Sequence, residues 1–215
     1  GYYNNWDFEP KLVKRYLKAV SESSIDIVEL GFRSLPQAKF MGPHKYTTDE
    51  YIETLDLPKG PEYCVMIDGK DFLNESLGFK NIINKLFSQR KKSFISTVRI
   101  AINFNKTLEV EPIAKELKNL GYKVAINLMQ SHHKKEYEFI SIAKKIARWK
   151  SIDILYFSDS LGSMAPIEVK KICKALKSAW SGILGIHTHN NKSLALINTI
   201  TAIENDISWC DSTIS

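Results

Sequence analysis

Asp153-Ile154-Leu155-Tyr156-Phe157-Ser158-Asp159-Ser160-Leu161-Gly162-Ser163-Met164-Ala165-Pro166 is the stretch whose reading decides the fold. A short β-branched, aromatic and aliphatic run leads into an acidic and hydroxylic tip, then a glycine turn, then a proline where a helix begins. Proline is tolerated there because the N–H it lacks has no partner within the first helical turn. The stretch reads as one βα unit: buried strand, polar tip, turn, helix.

The same unit recurs in both directions. Strand-like runs are expected at Asp26–Leu30, Tyr63–Ile67, Thr97–Asn103, Lys123–Leu128, Asp153–Phe157, Ile183–Thr188 and from near Ser208, with starts 37, 34, 26, 30, 30 and 25 residues apart. About 31 residues per unit is what a 250-residue barrel divides into. The intervening segments have helical patterning. Lys11–Ser21 places Leu12, Tyr16, Leu17 and Val20 on one face. Thr47-Thr48-Asp49-Glu50 fits a capping box with Thr47 as N-cap, and a helix over Thr107–Leu120 would stop at Gly121.

Regular βαβα alternation implies a parallel sheet with helical crossovers. The rival, a doubly wound open sheet, usually has a G-x-G-x-x-G turn after its first strand, and the sequence has none. The expected fold class is therefore α/β, a (β/α)8 TIM barrel. Seven strands and seven helices can be counted, beginning in a loop that runs into a helix and closing inside a strand. One strand at the front and one helix at the back are expected to be missing, so that residues 1–215 form a single barrel domain cut from a longer chain.

Composition sets outer bounds. The chain has 215 residues, 44% apolar and 25% charged, as ordinary globular proteins do. It has no apolar run of about 18 residues that would cross a membrane, and no basic-then-apolar leader. Its three cysteines, Cys64, Cys173 and Cys210, are far apart and read as reduced thiols of a cytoplasmic protein. The net charge of +6 comes from lysines spread along helices. A solvated surface explains it, and attraction of an anionic substrate is the alternative. Aromatics do not interleave with the basic residues, which argues against a nucleic-acid partner.

In a barrel, chemistry sits at the C-terminal ends of the strands. Gly185-Ile186-His187-Thr188-His189-Asn190-Asn191 places His187 and His189 on one side of a strand, because residues i and i+2 point the same way. Two neutral imidazoles on one face can hold a divalent metal; two hydrogen-bonded core histidines are the alternative. Asp159 is a candidate for orienting a ligand or moving a proton, and equally for capping the turn. Glu29 lies in an apolar strand where an unpaired carboxylate is costly. It needs Arg33 or a cation from a neighbouring strand as partner, in a structural or a catalytic role. Arg33, Asn127 and Ser160 are candidate substrate contacts. His132 and His133, adjacent in a lysine-rich loop, point opposite ways and make a poor chelate.

Five stretches together resemble the metal-dependent pyruvate aldolase and 3-hydroxy-3-methylglutaryl-CoA lyase-like barrel family, which includes 4-hydroxy-2-oxovalerate aldolase and the isopropylmalate and homocitrate synthases. They are Gly1-Tyr2-Tyr3-Asn4-Asn5-Trp6-Asp7-Phe8, Val28-Glu29-Leu30-Gly31-Phe32, Ser158-Asp159-Ser160-Leu161-Gly162-Ser163-Met164, the stretch from Gly185 to Asn191, and Cys210-Asp211-Ser212-Thr213-Ile214-Ser215. They occur in family order, and the opening is most similar to the aldolase branch. The resemblance implies a lyase that breaks or forms a carbon–carbon bond beside a 2-oxo acid such as pyruvate. It implies Mn²⁺ or Mg²⁺ as cofactor, with Zn²⁺ or Co²⁺ as alternatives, held by His187 and His189 together with an aspartate of the first strand. Where the aldolase branch carries a catalytic histidine, this sequence offers Tyr2 or Tyr3. A Claisen-type acyl-CoA condensing enzyme and a non-catalytic barrel are the competing readings. The implied partner is a small-molecule 2-oxo acid, with no nucleic acid and no membrane; self-association into a homo-oligomer is left open.

Overall fold

The computed structural model describes residues 3–73 and 78–213. Its strands are β1 (Ile27–Phe32), β2 (Glu62–Asp68), β3 (Ile95–Asn103), β4 (Lys123–Met129), β5 (Ile154–Asp159), β6 (Ile183–Thr188) and β7 (Trp209–Cys210). They form one seven-stranded sheet in sequential order, β1 through β7. Each strand lies beside its predecessor, and the registered pairs β1/β2, β4/β5, β5/β6 and β6/β7 are parallel. A doubly wound sheet must reverse its strand order to make a ligand crevice. This order never reverses, and it is the order of a (β/α) barrel wall, as the sequence led us to expect.

The helices are α1 (Pro10–Ser21), α2 (Asp49–Glu53), α3 (Gly69–Leu73), α4 (Phe79–Leu86), α5 (Glu111–Asn119), α6 (Glu136–Trp149), α7 (Pro166–Lys177) and α8 (Ala195–Ile203). The chain divides into two compact units: Gly1–Ile100 with Glu116–Lys123, and Ala101–Lys115 with Val124–Ser215.

In the first unit, α1 buries Val13, Leu17 and Val20, a four-then-three spacing that keeps one stripe facing the core. Leu12 and Tyr16, expected on that face, are exposed. The helix is therefore rotated by about one residue from the sequence reading. A second correction concerns the cap of α2. Thr48, not Thr47, is the N-cap, its hydroxyl accepting the Tyr51 N–H at 3.2 Å. Thr47 is buried with a left-handed φ of 37°, and its hydroxyl donates to the His44 carbonyl at 3.1 Å. Gly31, at φ +145°, lets β1 exit against the 3-10 turn Pro43–Lys45; a Cβ there would stand 2.1 Å from the His44 carbonyl oxygen.

In the second unit, β5 is buried along its whole length. Helix α6 buries Phe139, Ile142, Ala143 and Ile146, and α7 buries Val169, Ile172, Cys173, Ala175 and Leu176. Burial pushes the Cys173 thiol up to about 12, so it behaves as a small core residue. The helix expected over Thr107–Leu120 is split into a 3-10 segment, Phe104–Val110, followed by α5. Pro112 explains the break: it has no N–H to give to an earlier carbonyl, so the α-helix restarts with proline in its first turn. Gly121 follows at φ +93°, as a C-terminal glycine should.

Candidate metal centre

The second unit builds a polar layer on top of an apolar one. Register pairs Asn127 with Tyr156, Tyr156 with Gly185, Gly185 with Trp209, and Ser158 with His187. Side-by-side residues in a sheet share a face. Ala125, Ile154 and Tyr156 form a buried cluster against which Trp209 packs. Two residues further along each strand stand Ser158, His187 and Asp211. Gly185 has no side chain for a specific reason: a Cβ would lie 2.5 Å from the Tyr156 ring. The space beneath His187 is therefore filled by that ring.

His187 and His189 do project together, with ring centroids 5.2 Å apart and planes at 72°. His187 Nδ1 lies 2.7 Å from Asp211 Oδ2. An ionised carboxylate only accepts, so Nδ1–H is the donor in this contact, and in the neutral ring that leaves the lone pair on Nε2. The His189 ring has no hydrogen-bond partner among the described residues. Burial lowers its pKa, the nearby His187 adds to the effect, and Asp159 opposes it. A neutral ring is the metal-binding form.

Asp159 is fully buried. Its Oδ1 accepts the Ser163 N–H at 3.0 Å and its Oδ2 the Met164 N–H at 3.1 Å, the geometry of a turn-closing carboxylate ahead of α7. The Asp159 carbonyl also accepts the His189 N–H at 3.3 Å. Gly162, at φ +57°, brings this turn against the histidine loop; a Cβ there would meet the Asn191 nitrogen at 2.6 Å and the His189 oxygen at 2.7 Å. Asp159 thus fixes the loop that carries His189. Ser160 accepts the Gln130 N–H at 2.9 Å and donates toward Ser158 at 3.4 Å, while Gln130 takes a further bond from Asn103. Asn127 is buried, and its Oδ1 has no hydrogen-bond partner among the described residues.

The first unit holds the other sequence candidates. Glu29 is paired, but with Arg99 of β3 rather than Arg33: the Arg99 Nε–H donates to Glu29 Oε2 at 2.8 Å. Arg33 is fully buried. It donates to the carbonyls of Thr47 (2.8 Å) and Leu86 (3.3 Å) and to Asp49 Oδ1 (2.9 Å), and its guanidinium lies 5.0 Å from the Phe87 ring centre. Three of its five N–H donors are engaged by protein acceptors. Tyr2 lies outside the described residues. The rings of His132 and His133 meet edge to face with centroids 5.2 Å apart.

Sequence reasoning missed three residues. Arg99 was detectable by the logic that flagged Glu29, since it is a lone charge in the apolar run Thr97–Asn103 and buried charges come in pairs. Asp211 sits two residues after Trp209, on the face that period-two alternation assigns to it. His44, deeply buried between the Leu30 carbonyl and the Tyr51 hydroxyl, carries no local sequence signal.

The donors suit a divalent ion in part. They supply two imidazoles, one held by a carboxylate as metal-binding histidines usually are. Among the described residues, no group of three His, Cys, Asp or Glu is placed to hold an ion.

Residues 90–215 match the HMGL-like family. A 4-hydroxy-2-oxovalerate aldolase of Carboxydothermus hydrogenoformans is 35% identical over 54% of this chain and 34% of its own length. An oxaloacetate decarboxylase of Mycobacterium tuberculosis is 23% identical over the whole of this chain and 61% of its own length. This chain thus spans about a third of the first relative and three fifths of the second. Among solved structures, the N-terminal domain of a candidate aldolase from Bacteroides vulgatus superposes with a TM-score of 0.85 at 30% identity, covering all of this chain and 69% of that one. The carboxyl transferase domain of Rhizobium etli pyruvate carboxylase shares the fold, with a TM-score of 0.73 at 14% identity over 95% of this chain and 36% of that one. With the family match covering more than half its length, the chain belongs to the HMGL-like family.

Proposed function

We propose that the protein is a divalent-metal-dependent carbon–carbon lyase that cleaves a 4-hydroxy-2-oxo acid, of the 4-hydroxy-2-oxovalerate kind, to a 2-oxo acid and an aldehyde. The observation that carries this reading is the imidazole pair at the end of β6, with His187 oriented by Asp211. An ion held there, Mn²⁺ or Mg²⁺ in the first instance and Zn²⁺ or Co²⁺ otherwise, would act as a Lewis acid toward the 2-oxo group. His187 and His189 hold it; Asp159 fixes the loop of His189. The Asn127 oxygen, unpartnered among the described residues, and the Ser160 hydroxyl are polar contacts for the substrate. Glu29, Tyr2 and Arg33 remain candidates for proton transfer and substrate binding, with Arg33 the weakest because three of its donors are already engaged. A cytoplasmic enzyme with one catalytic barrel domain over residues 1–215 completes the reading.

A second reading has its own support, the oxaloacetate decarboxylase that matches the whole chain. Both reactions break the bond between carbons 3 and 4 of a 2-oxo acid. Aldol cleavage needs a base to take the 4-hydroxyl proton; decarboxylation releases CO₂ and needs none. The test supplies the intact protein with Mn²⁺ and either 4-hydroxy-2-oxovalerate, oxaloacetate, or an acyl-CoA with a 2-oxo acid. Metal-dependent pyruvate and aldehyde in equal amounts is the expected result. Pyruvate from oxaloacetate alone would favour the decarboxylase, and thiol release from the third mixture a condensing enzyme. No turnover of any by the metal-loaded protein would leave a non-catalytic barrel.

A further inference from the structure

The two histidines at the end of β6 are not equivalent, and their difference lies in β7. Strand β7 contributes Trp209 and Cys210 in register with Gly185 and Ile186, and the Asp211 N–H continues the ladder to the Ile186 carbonyl at 3.3 Å. That register brings Asp211 level with His187. Trp209, two residues earlier, already packs on the face of Tyr156, so alternation turns Asp211 to the face of the histidines. The result is the 2.7 Å contact from Asp211 Oδ2 to His187 Nδ1, with side chains 20% and 25% exposed. His189 has no such restraint among the described residues. Its ring is set by the loop backbone that Asp159 and Gly162 hold and by its edge-to-face contact with the His187 ring.

We propose that Asp211 is a positioning residue that locks His187 in the Nδ1–H tautomer and points its Nε2 lone pair at the metal position. This rests on the reading of His187 as a metal ligand. The carboxylate acts in two ways: it fixes the ring's orientation before an ion arrives, and it makes Nε2 a better donor. His187 is then the preorganised ligand, and His189 is the one that adjusts. A purely structural Asp211 would tie β7 to β6 and have no bearing on which ring nitrogen holds the proton.

The test uses the intact protein and three forms: wild type, Asp211→Asn and Asp211→Ala. Long-range ¹H–¹⁵N correlation on ¹⁵N-histidine-labelled, metal-free protein, at a pH of about 8.5 where free imidazole is neutral, reads the tautomer of His187. Calorimetric titration with Mn²⁺ reads affinity. Wild type and Asp211→Asn, whose amide oxygen still accepts, are expected to show the Nδ1–H form, and Asp211→Ala a mixture of tautomers. Mn²⁺ affinity is expected to fall by about 10–100-fold in Asp211→Ala and by only a few-fold in Asp211→Asn. Thermal unfolding of each form separates a folding defect from a local one. An unchanged tautomer in Asp211→Ala, or unchanged affinity with an altered tautomer, overturns the proposal. If wild type itself fails to bind Mn²⁺, the metal reading fails, while the tautomer result still decides whether Asp211 positions His187.

Discussion

Replacing Arg33 by alanine separates a structural arginine from a substrate-binding one. The side chain is fully buried and makes three protein hydrogen bonds, one of them to Asp49, whose side chain is 23% exposed. Removing one member of a buried ion pair costs about 3–5 kcal/mol, because the partner is left buried and uncompensated. Here Asp49 retains Ser93 at 2.7 Å and Ser88 at 3.2 Å, which offsets part of the loss. The carbonyls of Thr47 and Leu86 lose a donor each, at about 1 kcal/mol or more apiece. The expected total is about 3–5 kcal/mol for Arg33→Ala. Asp49→Ala should cost about 3 kcal/mol, since Arg33 then keeps two carbonyl acceptors. At roughly 2–4 °C per kcal/mol for a chain of this size, Arg33→Ala should lower Tm by about 6–20 °C. Urea unfolding followed by circular dichroism supplies the assay, with the double variant closing the cycle; the two losses should be strongly non-additive. An Arg33→Ala protein as stable as its parent but with weakened binding of a 2-oxo acid would refute the structural assignment.

Gly185→Ala places a methyl group 2.5 Å from the Tyr156 ring; overpacking should destabilise by about 1–3 kcal/mol. An unchanged urea midpoint would show that the ring moves freely and that the layer beneath His187 is not close-packed. His44 predicts a pH dependence. Burial is the main cause lowering its pKa, opposed by its bond to the Leu30 carbonyl, so the unfolded chain binds the proton more readily. The stability it contributes is present above the ordinary histidine range of about 6.5 and is lost as pH falls through the lowered folded value. The difference in unfolding free energy between wild type and His44→Gln, followed from pH 8 to pH 5, should shrink as pH falls; a constant difference would contradict the assignment.

The fold was legible because each βα unit announces itself locally: an apolar run, a polar tip, a glycine or proline, then a helical stripe. What was misread also has local causes. In α1, Leu12 and Val13 are both apolar neighbours, and only packing decides that Val13, Leu17 and Val20 face the core. At the start of α2, Thr47 and Thr48 are chemically equivalent caps. The choice fell to Thr48 because Thr47 is drawn into the buried bonds around His44 and Arg33. Partners far apart in sequence were the hardest to foresee. Glu29 and Arg99 are separated by two strand positions in the sheet and by some seventy residues along the chain. The histidine pair was visible from strand alternation alone, whereas its orienting carboxylate became visible only once the register of β7 against β6 was known.

The measurement that bears most directly on the central claim is metal binding by the intact protein, its His187→Ala and His189→Ala variants, and the double variant. Calorimetric titration with Mn²⁺ should give one ion per chain for the wild type. Each single variant should lose nearly as much affinity as the double, because two ligands of one ion act as a unit. Each loss should also exceed the roughly 10–100-fold expected when only an orienting partner is removed. A His187→Ala or His189→Ala protein that binds Mn²⁺ as tightly as its parent would contradict the account and return both residues to the role of hydrogen-bonded core histidines.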